Sequence, residues 1–138
     1  MNLILSGLIL IKKKENDMQK AQYKYRAQVY NVVDGDTYDV IIDLGFDISV
    51  KHRIRLFGVD AYERSLRGNT TPEEKIKGLQ AKDFCEETFK KAHANKAFVI
   101  VETIQDKKGK FGRYLAKVYI DGVSIADMLK EKGFLKNA

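Results

Sequence analysis

Cysteine and histidine are nearly absent from this chain of 138 residues. Cys85 is the single cysteine, so no disulfide can form within the chain, and His52 and His93 are the only histidines. A structural zinc site takes four ligands, drawn mainly from these two residue types. The chain therefore cannot be a disulfide scaffold, and these three residues cannot complete such a zinc site.

Long hydrophobic runs are lacking as well. The apolar stretch from Leu3 to Ile11 is far shorter than the roughly 20 residues that span a bilayer, so we expect no membrane span. No positive residue precedes this stretch and no small-residue cleavage site follows it, so it is a poor signal peptide. We expect a cytoplasmic monomer, with secretion of a processed precursor as the alternative location.

A second methionine, Met18, follows the apolar stretch and three lysines. Lys14 and Glu15 can be encoded by a purine-rich sequence that would bind the ribosome shortly before the Met18 codon. We therefore interpret residues 1–24 as an extension outside the core, with a possible true start at Met18, and residues 25–138 as the domain. The alternative is a real but loosely ordered N-terminal arm.

Charge and composition describe one folded, basic domain. Hydrophobic residues make up 44% and charged residues 32%, which is typical of a globular chain. The net charge of +6 favours a polyanionic partner, because cationic patches attract phosphate backbones. The same charge could serve solubility alone, so composition leaves both interpretations open.

Five segments rich in β-forming residues predict strands, separated by turns at Asp34-Gly35, around Gly45 and at Asp121-Gly122. Gly58 predicts a bend near the end of the third strand. A barrel of the OB type is the closed sheet that five such strands commonly form. The predicted strands are Arg26–Val33, Thr37–Ile42, Ile48–Val59, Ala97–Ile104 and Arg113–Ile120.

Two helices complete an α+β fold. Thr71 as cap, Pro72 at the first position and Glu74 predict a helix between the third and fourth strands, ending near residues 94–95. Cys85 falls on the apolar stripe of this helix, so we expect it to be a core residue and not a nucleophile. A short C-terminal helix should run from Ser124 to Gly133.

Three segments carry the chemically reactive residues: Asp34-Gly35-Asp36-Thr37, Arg55 to Glu63, and Lys110-Phe111-Gly112-Arg113. Each alone is compatible with a turn, a solvated loop or an exposed hairpin tip. Together they contain what phosphodiester hydrolysis requires, namely cations for the developing charge and a base for water. Asp36 and Asp60 are hard oxygen ligands suited to Ca²⁺ or Mg²⁺, Glu63 could orient or deprotonate water, and Arg55 and Arg113 are bidentate phosphate donors.

The order and spacing of these motifs resemble the staphylococcal nuclease (thermonuclease) family, over roughly Tyr25 to Lys136. The resemblance implies an OB-fold barrel with flanking helices and a nuclease that cleaves DNA, RNA or both, leaving 3′-phosphate products. It implies Ca²⁺ bound by Asp36, Asp60 and the carbonyl of Ala61. The matching catalytic residues are Arg55, Glu63 and Arg113, and the matching substrate-binding residues are Lys110 and Phe111.

The chain departs from the family in three places. Asp60-Ala61-Tyr62-Glu63 stands where the family often has Asp-Thr-Pro-Glu, so we expect a less constrained loop around Glu63. Phe111 replaces a tyrosine, which removes a hydroxyl that would contact phosphate. The sequence stops soon after Gly133, whereas the family continues into a tyrosine-bearing segment and a third helix.

Two other functions fit parts of the pattern. OB barrels often bind strands without cutting them, so a non-catalytic nucleic-acid- or protein-binding module of the same family is the main alternative. A pure binder has no need of three clustered carboxylates, which repel phosphate, so Asp36, Asp60 and Glu63 favour the enzyme. An enzyme acting on small phosphate esters would leave the spread of lysine and arginine unexplained.

The first prediction concerns the N-terminal residues. If residues 1–17 lie outside the domain, a protein starting at Met18 should fold and cleave nucleic acid as the full chain does. Thermal unfolding and a cleavage assay on both proteins test this. A large drop in melting temperature on truncation would show instead that the apolar stretch packs on the barrel.

Overall fold

A computed structural model describes residues 23–63, 70–108 and 113–136 of the chain. These residues form six strands and two helices, with the first helix between the third and fourth strands. The strands are β1 (Lys24–Asp34), β2 (Thr37–Asp43), β3 (Ser49–Leu56), β4 (Val99–Lys108), β5 (Tyr114–Ile120) and β6 (Val123–Ser124), and the helices are α1 (Pro72–Ala94) and α2 (Ile125–Glu131).

The strands form one sheet in the order β3-β2-β1-β4-β5-β6. A parallel pairing of β3 with β5, which sets Arg55 opposite Leu115, closes the first five strands into a barrel, while the other pairings are antiparallel. The closed five-stranded barrel with two helices confirms the predicted α+β class of OB type. No helix in the described part of the chain is long and apolar enough to cross a membrane.

Two predicted strand ends were wrong by three residues or more, while the others differ by one or two residues at most. β3 ends at Leu56 instead of Val59, because Gly58 adopts a positive φ of 77° that extended strand geometry does not allow. β4 continues to Lys108 instead of ending at Ile104, because Lys108 still pairs with Tyr114 of β5. The residues from 105 to 108, which lie beyond the predicted strand end, therefore belong to a strand.

The helix α1 begins and ends where its capping residues predict. The Thr71 hydroxyl accepts a hydrogen bond from the backbone N–H of Glu74, at 3.2 Å. Its apolar face packs on the barrel, with the Phe89 ring 5.0 Å from the ring of Tyr38 in an edge-to-face arrangement. Cys85 is fully buried on this face, as predicted.

The end of α2 turns the chain back toward the barrel. Gly133, with φ of 76°, follows the helix, and the N–H groups of Phe134 and Gly133 donate to the carbonyls of Leu129 and Lys130 at 3.0 and 3.1 Å. This is the glycine-terminated helix end that the sequence predicted. The next residue, Leu135, forms a β-bridge with the loop that follows β3, so the end of the chain lies against that loop.

Candidate active site

The turn between β1 and β2 packs directly against α1. A Cβ atom on Gly35 would lie only 2.8 Å from the Cβ of Ala81 in the helix and 3.2 Å from that of Ala61. The buried hydroxyl of Tyr38 donates to the Gly35 carbonyl at 2.6 Å. Burial raises the pKa of this phenol well above its usual value, so the hydroxyl keeps its proton and remains a donor. The contact with the helix and the hydrogen bond from Tyr38 thereby hold the turn in place.

Asp36 follows this glycine, and its side chain is only 10% exposed. Its Oδ1 accepts a hydrogen bond from the Thr37 hydroxyl at 2.9 Å. Its Oδ2 accepts one from the backbone N–H of Ala61 at 3.0 Å, and its own carbonyl accepts one from the N–H of Leu56 at 2.8 Å. A buried carboxylate needs such partners, because transfer of an unpaired charge out of water is very costly.

Arg55 joins Asp36 to the second carboxylate of the site. Its Nη2 lies 3.0 Å from Oδ1 of Asp60 and 3.4 Å from Oδ2 of Asp36. A cationic group therefore lies between two carboxylates that come from a hairpin turn and from a separate loop. The Asp60 side chain is 49% exposed, so the site is open to solvent at Asp60.

Arg113 reaches the same group from the start of β5. Its Nη1 lies 3.4 Å from the Thr37 hydroxyl, which itself donates to Asp36. Arg55 lies in β3 and Arg113 directly precedes β5, and these two strands pair at the closure of the barrel. The site thus combines two carboxylates with two guanidinium groups.

The loop after β3 is tied to the end of the chain by backbone hydrogen bonds. The N–H of Lys136 donates to the carbonyl of Asp60 at 2.7 Å, and the N–H of Tyr62 donates to that of Phe134 at 3.2 Å. Leu135 lies buried between them, opposite Ala61. This pairing restrains the loop that was expected to be less constrained for lack of proline.

The predicted site residues are brought together to different degrees. The structure places Asp36, Arg55, Asp60 and Arg113 in one connected group. Ala61 takes part through its N–H, whereas the predicted role of its carbonyl as a metal ligand stays a prediction. Glu63 is half-buried and lies two residues farther along the same loop. The predicted substrate-binding residues Lys110 and Phe111 lie outside the described residues.

The chemistry of these oxygens suits a hard cation. Among residues 23–63, 70–108 and 113–136, no cluster of three or more histidine, cysteine, aspartate or glutamate side chains could hold a metal. A cation at Asp36 and Asp60 would therefore need further oxygen ligands from the backbone or from water, and Ca²⁺ accepts both. The pair of carboxylates fits Ca²⁺ and does not fit a structural zinc site.

Two polar groups near the site are structural. Asp39 forms a bidentate pair with Arg53, at 2.7 and 3.1 Å, and also accepts from the Asn31 amide at 2.9 Å. The hydrogen bonds from Arg53 lower the pKa of the Asp39 carboxyl, so this pair is charged and self-contained. Burial raises the pKa of the Cys85 thiol to about 12, which leaves it protonated and unreactive.

Three contributors were missed from the sequence. Thr37 was predicted as part of the turn motif and as the start of a strand, with no role of its own, although its hydroxyl connects Arg113 to Asp36. Tyr38 was read as a strand former, and no local pattern reveals that its phenol reaches back to the turn. Leu135 pairs with Ala61, in the loop that carries Asp60, from a distant part of the chain, and no short motif encodes this pairing.

Comparison with known proteins agrees with the motif resemblance. A family model described as staphylococcal nuclease homologue matches residues 53–137, which include Arg55, Asp60, Glu63 and Arg113 but not the Asp36 turn. An uncharacterized protein of Methanocaldococcus jannaschii is 36% identical over 111 residues, which cover 70% of this chain and 49% of the relative. The chain thus spans about half the length of this relative.

The packing of the Asp36 turn on α1 gives a second prediction. Gly35→Ala should lower the free energy of unfolding by about 1–3 kcal/mol, because the added methyl collides with Ala81. Ala81→Gly alone should cost about 1 kcal/mol as a glycine in a helix. The double variant should be more stable than the sum of the two changes predicts, as measured by denaturant unfolding. Additive effects would show that the turn does not depend on this contact.

Proposed function

Because the chain belongs to the family of staphylococcal nuclease homologues, we propose that it is a calcium-dependent nuclease acting on DNA, RNA or both. The observation that carries this proposal is the convergence of Asp36 and Asp60 on one nitrogen of Arg55, beside Arg113. Such a group combines anionic oxygens for a metal with cationic donors for a phosphate. Phosphodiester hydrolysis uses both, since its catalysis depends on positioning and on stabilising developing charge.

Asp36 and Asp60, with the carbonyl of Ala61, are the proposed ligands of Ca²⁺. Bound there, Ca²⁺ would supply positive charge to stabilise the negative charge that develops on the phosphate. The fixed turn and the tethered loop would hold the two carboxylates in place, which reduces the reorganisation needed for metal binding. The hydrogen bond from the Ala61 N–H to Asp36 couples the two segments directly.

Arg55 and Arg113 are the proposed phosphate ligands. Guanidinium groups bind phosphate oxygens in bidentate fashion and keep their charge at all physiological pH values. Arg55 is engaged with both carboxylates. If a cation were held by Asp36 and Asp60, Arg55 would be available to bind a phosphate.

Glu63 is the proposed general base. Its carboxylate would accept a proton from water as the water oxygen bonds to phosphorus, and the bond from phosphorus to the 5′-oxygen would break. The 5′-oxygen would then take up a proton from solvent, and Glu63 would release to solvent the proton that it took from water. The products are a 3′-phosphate and a 5′-hydroxyl, so atoms and charges balance. Glu63 follows the proposed ligand Asp60 by three residues in a loop restrained by its pairing with Leu135.

Metal dependence provides the third prediction. Chelation should abolish cleavage of single-stranded DNA, and Mg²⁺ should support it poorly, because Mg²⁺ demands a stricter octahedral shell. Asp36→Asn should weaken Ca²⁺ binding in calorimetry by at least about tenfold, a loss of about 1.4 kcal/mol. Asp39→Asn is the matched control, since Asp39 is a neighbouring carboxylate paired with a different arginine.

Full cleavage in chelator would contradict the metal mechanism. Salt-sensitive binding of nucleic acid without any cleavage in Ca²⁺ would instead support the non-catalytic binding module. Equal Ca²⁺ affinities of the Asp36→Asn and Asp39→Asn proteins would remove Asp36 from the metal site.

The fourth prediction tests the base. Glu63→Gln keeps the shape of the side chain and should lower single-turnover cleavage at saturating Ca²⁺ by about 10²- to 10⁴-fold. Ca²⁺ affinity should change little, because Glu63 need not be a ligand. The exposed carboxylate of Glu131, on α2, supplies the control variant Glu131→Gln. A Glu63→Gln protein that cuts as fast as the parent would exclude Glu63 as the base.

A further inference from the structure

A tyrosine directly precedes the proposed base in the loop after β3, and its ring contacts two lysines. The Nζ of Lys77 lies 5.0 Å from the centre of the Tyr62 ring, and the Nζ of Lys136 lies 6.0 Å from it. Both distances fall within the range in which an ammonium group is attracted to an aromatic ring. Tyr62 is half-buried, so its ring is partly shielded from water at these contacts.

The two lysines lie in different parts of the chain. Lys77 is near the start of α1, whereas Lys136 follows α2. Lys136 also forms an ion pair with Glu74 in the first turn of α1, at 3.9 Å. The backbone N–H of Glu74 is itself bonded to the Thr71 hydroxyl that caps this helix. The start of α1, the segment after α2 and the loop after β3 therefore meet at Tyr62.

The backbone of the same loop is held by other partners. The N–H of Ala61 donates to the Asp36 carboxylate, and the N–H of Tyr62 donates to the carbonyl of Phe134. These bonds tie the loop to the turn between β1 and β2 and to the segment after α2, and the Tyr62 ring adds a contact with α1. A loop held by three parts of the fold has little freedom to tilt. Glu63, the next residue, therefore follows a backbone whose position is fixed.

We propose that Tyr62 is a positioning residue for Glu63, because the contacts of its ring with Lys77 and Lys136 keep the Glu63 carboxylate directed at the attacking water. The inference rests on the proposed nuclease function and gives a role to a side chain that binds neither metal nor phosphate in that function. Tyr62 would thus act on the rate only through Glu63. Such positioning matters because a displacement of about 1 Å can lower the rate of an enzyme by about 10²-fold.

Single-turnover cleavage of single-stranded DNA at saturating Ca²⁺ tests this role. Tyr62→Leu keeps an apolar side chain but removes the ring, so it should lower the rate by about 10- to 100-fold. The affinity for Ca²⁺ and the affinity for DNA in chelator should change little, because the ring contacts neither. Tyr62→Phe keeps the ring and should restore nearly the parent rate. Tyr30→Leu is the matched control, since the ring of Tyr30 also contacts a lysine, Lys51, at 5.5 Å.

A double-mutant cycle tests the lysines against the ring. Lys77→Gln and Lys136→Gln together should slow cleavage by the parent, but should not slow further a protein that already carries Tyr62→Leu. Lysines that bound the substrate phosphates instead would weaken DNA binding in chelator when replaced, with or without the ring, and that result would overturn the inference. Lys51→Gln is the matched control for the loss of a cation from an aromatic ring.

Hydrogen exchange measures the anchoring of the loop without any cleavage. Tyr62→Leu should speed exchange of the backbone N–H groups of Ala61 and Lys136, and should leave exchange in β1 and β2 unchanged. Faster exchange throughout the barrel would show that the ring supports the whole fold, which would overturn a specific role in positioning. If Tyr62→Leu fails to fold, the variant with both lysines replaced carries the same test, because both positions are exposed.

Two further results would overturn the inference. One is a folded Tyr62→Leu protein that cleaves as fast as the parent, and the other is a loss of Ca²⁺ affinity in Tyr62→Leu as large as that in Asp36→Asn. Faster exchange of the loop in Tyr62→Leu, in a protein that cleaves neither DNA nor RNA, would contradict the nuclease proposal alone. Cleavage that depends on Glu63 but not on Tyr62 would contradict this inference alone.

Discussion

The buried carboxylate of Asp36 is the interaction on which the arrangement of the site depends. With a side chain only 10% exposed, it has lost most of its hydration, and removing one partner of a buried charge typically costs about 3–5 kcal/mol. Its partners come from three places in the chain: the adjacent Thr37, Arg55 at the end of β3, and Ala61 in the following loop. Satisfying one side chain therefore fixes the relative positions of β2, β3 and the loop that carries Asp60 and Glu63.

Contacts elsewhere in the fold hold the Asp36 turn and the Asp60 loop in place. The close approach of Gly35 to Ala81 and the hydrogen bond from Tyr38 leave the turn little freedom to move. On the other side, the end of the chain pairs with the Asp60 loop. The N–H of Tyr62 makes one of the bonds in this pairing, and a proline at that position, which the family often has, could not make it. This backbone hydrogen bond restrains the loop, as the ring of a proline would.

Local signals in the sequence predicted most of the fold. The Asp34-Gly35 turn, the Thr71-Pro72 helix start and the glycine-terminated end of α2 are encoded by neighbouring residues, and all three are confirmed. The extension of β4 to Lys108 was not predicted, because it depends on pairing with β5 and not on the polar residues of the segment itself. Tertiary pairing outweighs β-propensity in such a case.

The candidate site was predictable as a set of residues but not as a geometry. The carboxylates and arginines could be chosen from the sequence because their chemistry matches phosphodiester hydrolysis. The engagement of Arg55 with both carboxylates could not, because it depends on how a turn and a loop meet across the barrel. The contributions of Tyr38 and Leu135 are also long-range contacts, and neither residue belongs to a motif with a known chemical meaning.

A crystal structure of the protein grown with Ca²⁺ tests the central claim most directly, namely that Asp36 and Asp60 form one cation site now bridged by Arg55. We expect Ca²⁺ at about 2.3–2.6 Å from an oxygen of each carboxylate, with the guanidinium of Arg55 displaced from both. A structure at saturating Ca²⁺ in which Arg55 still bridges Asp36 and Asp60, with the metal bound elsewhere or not at all, would contradict it.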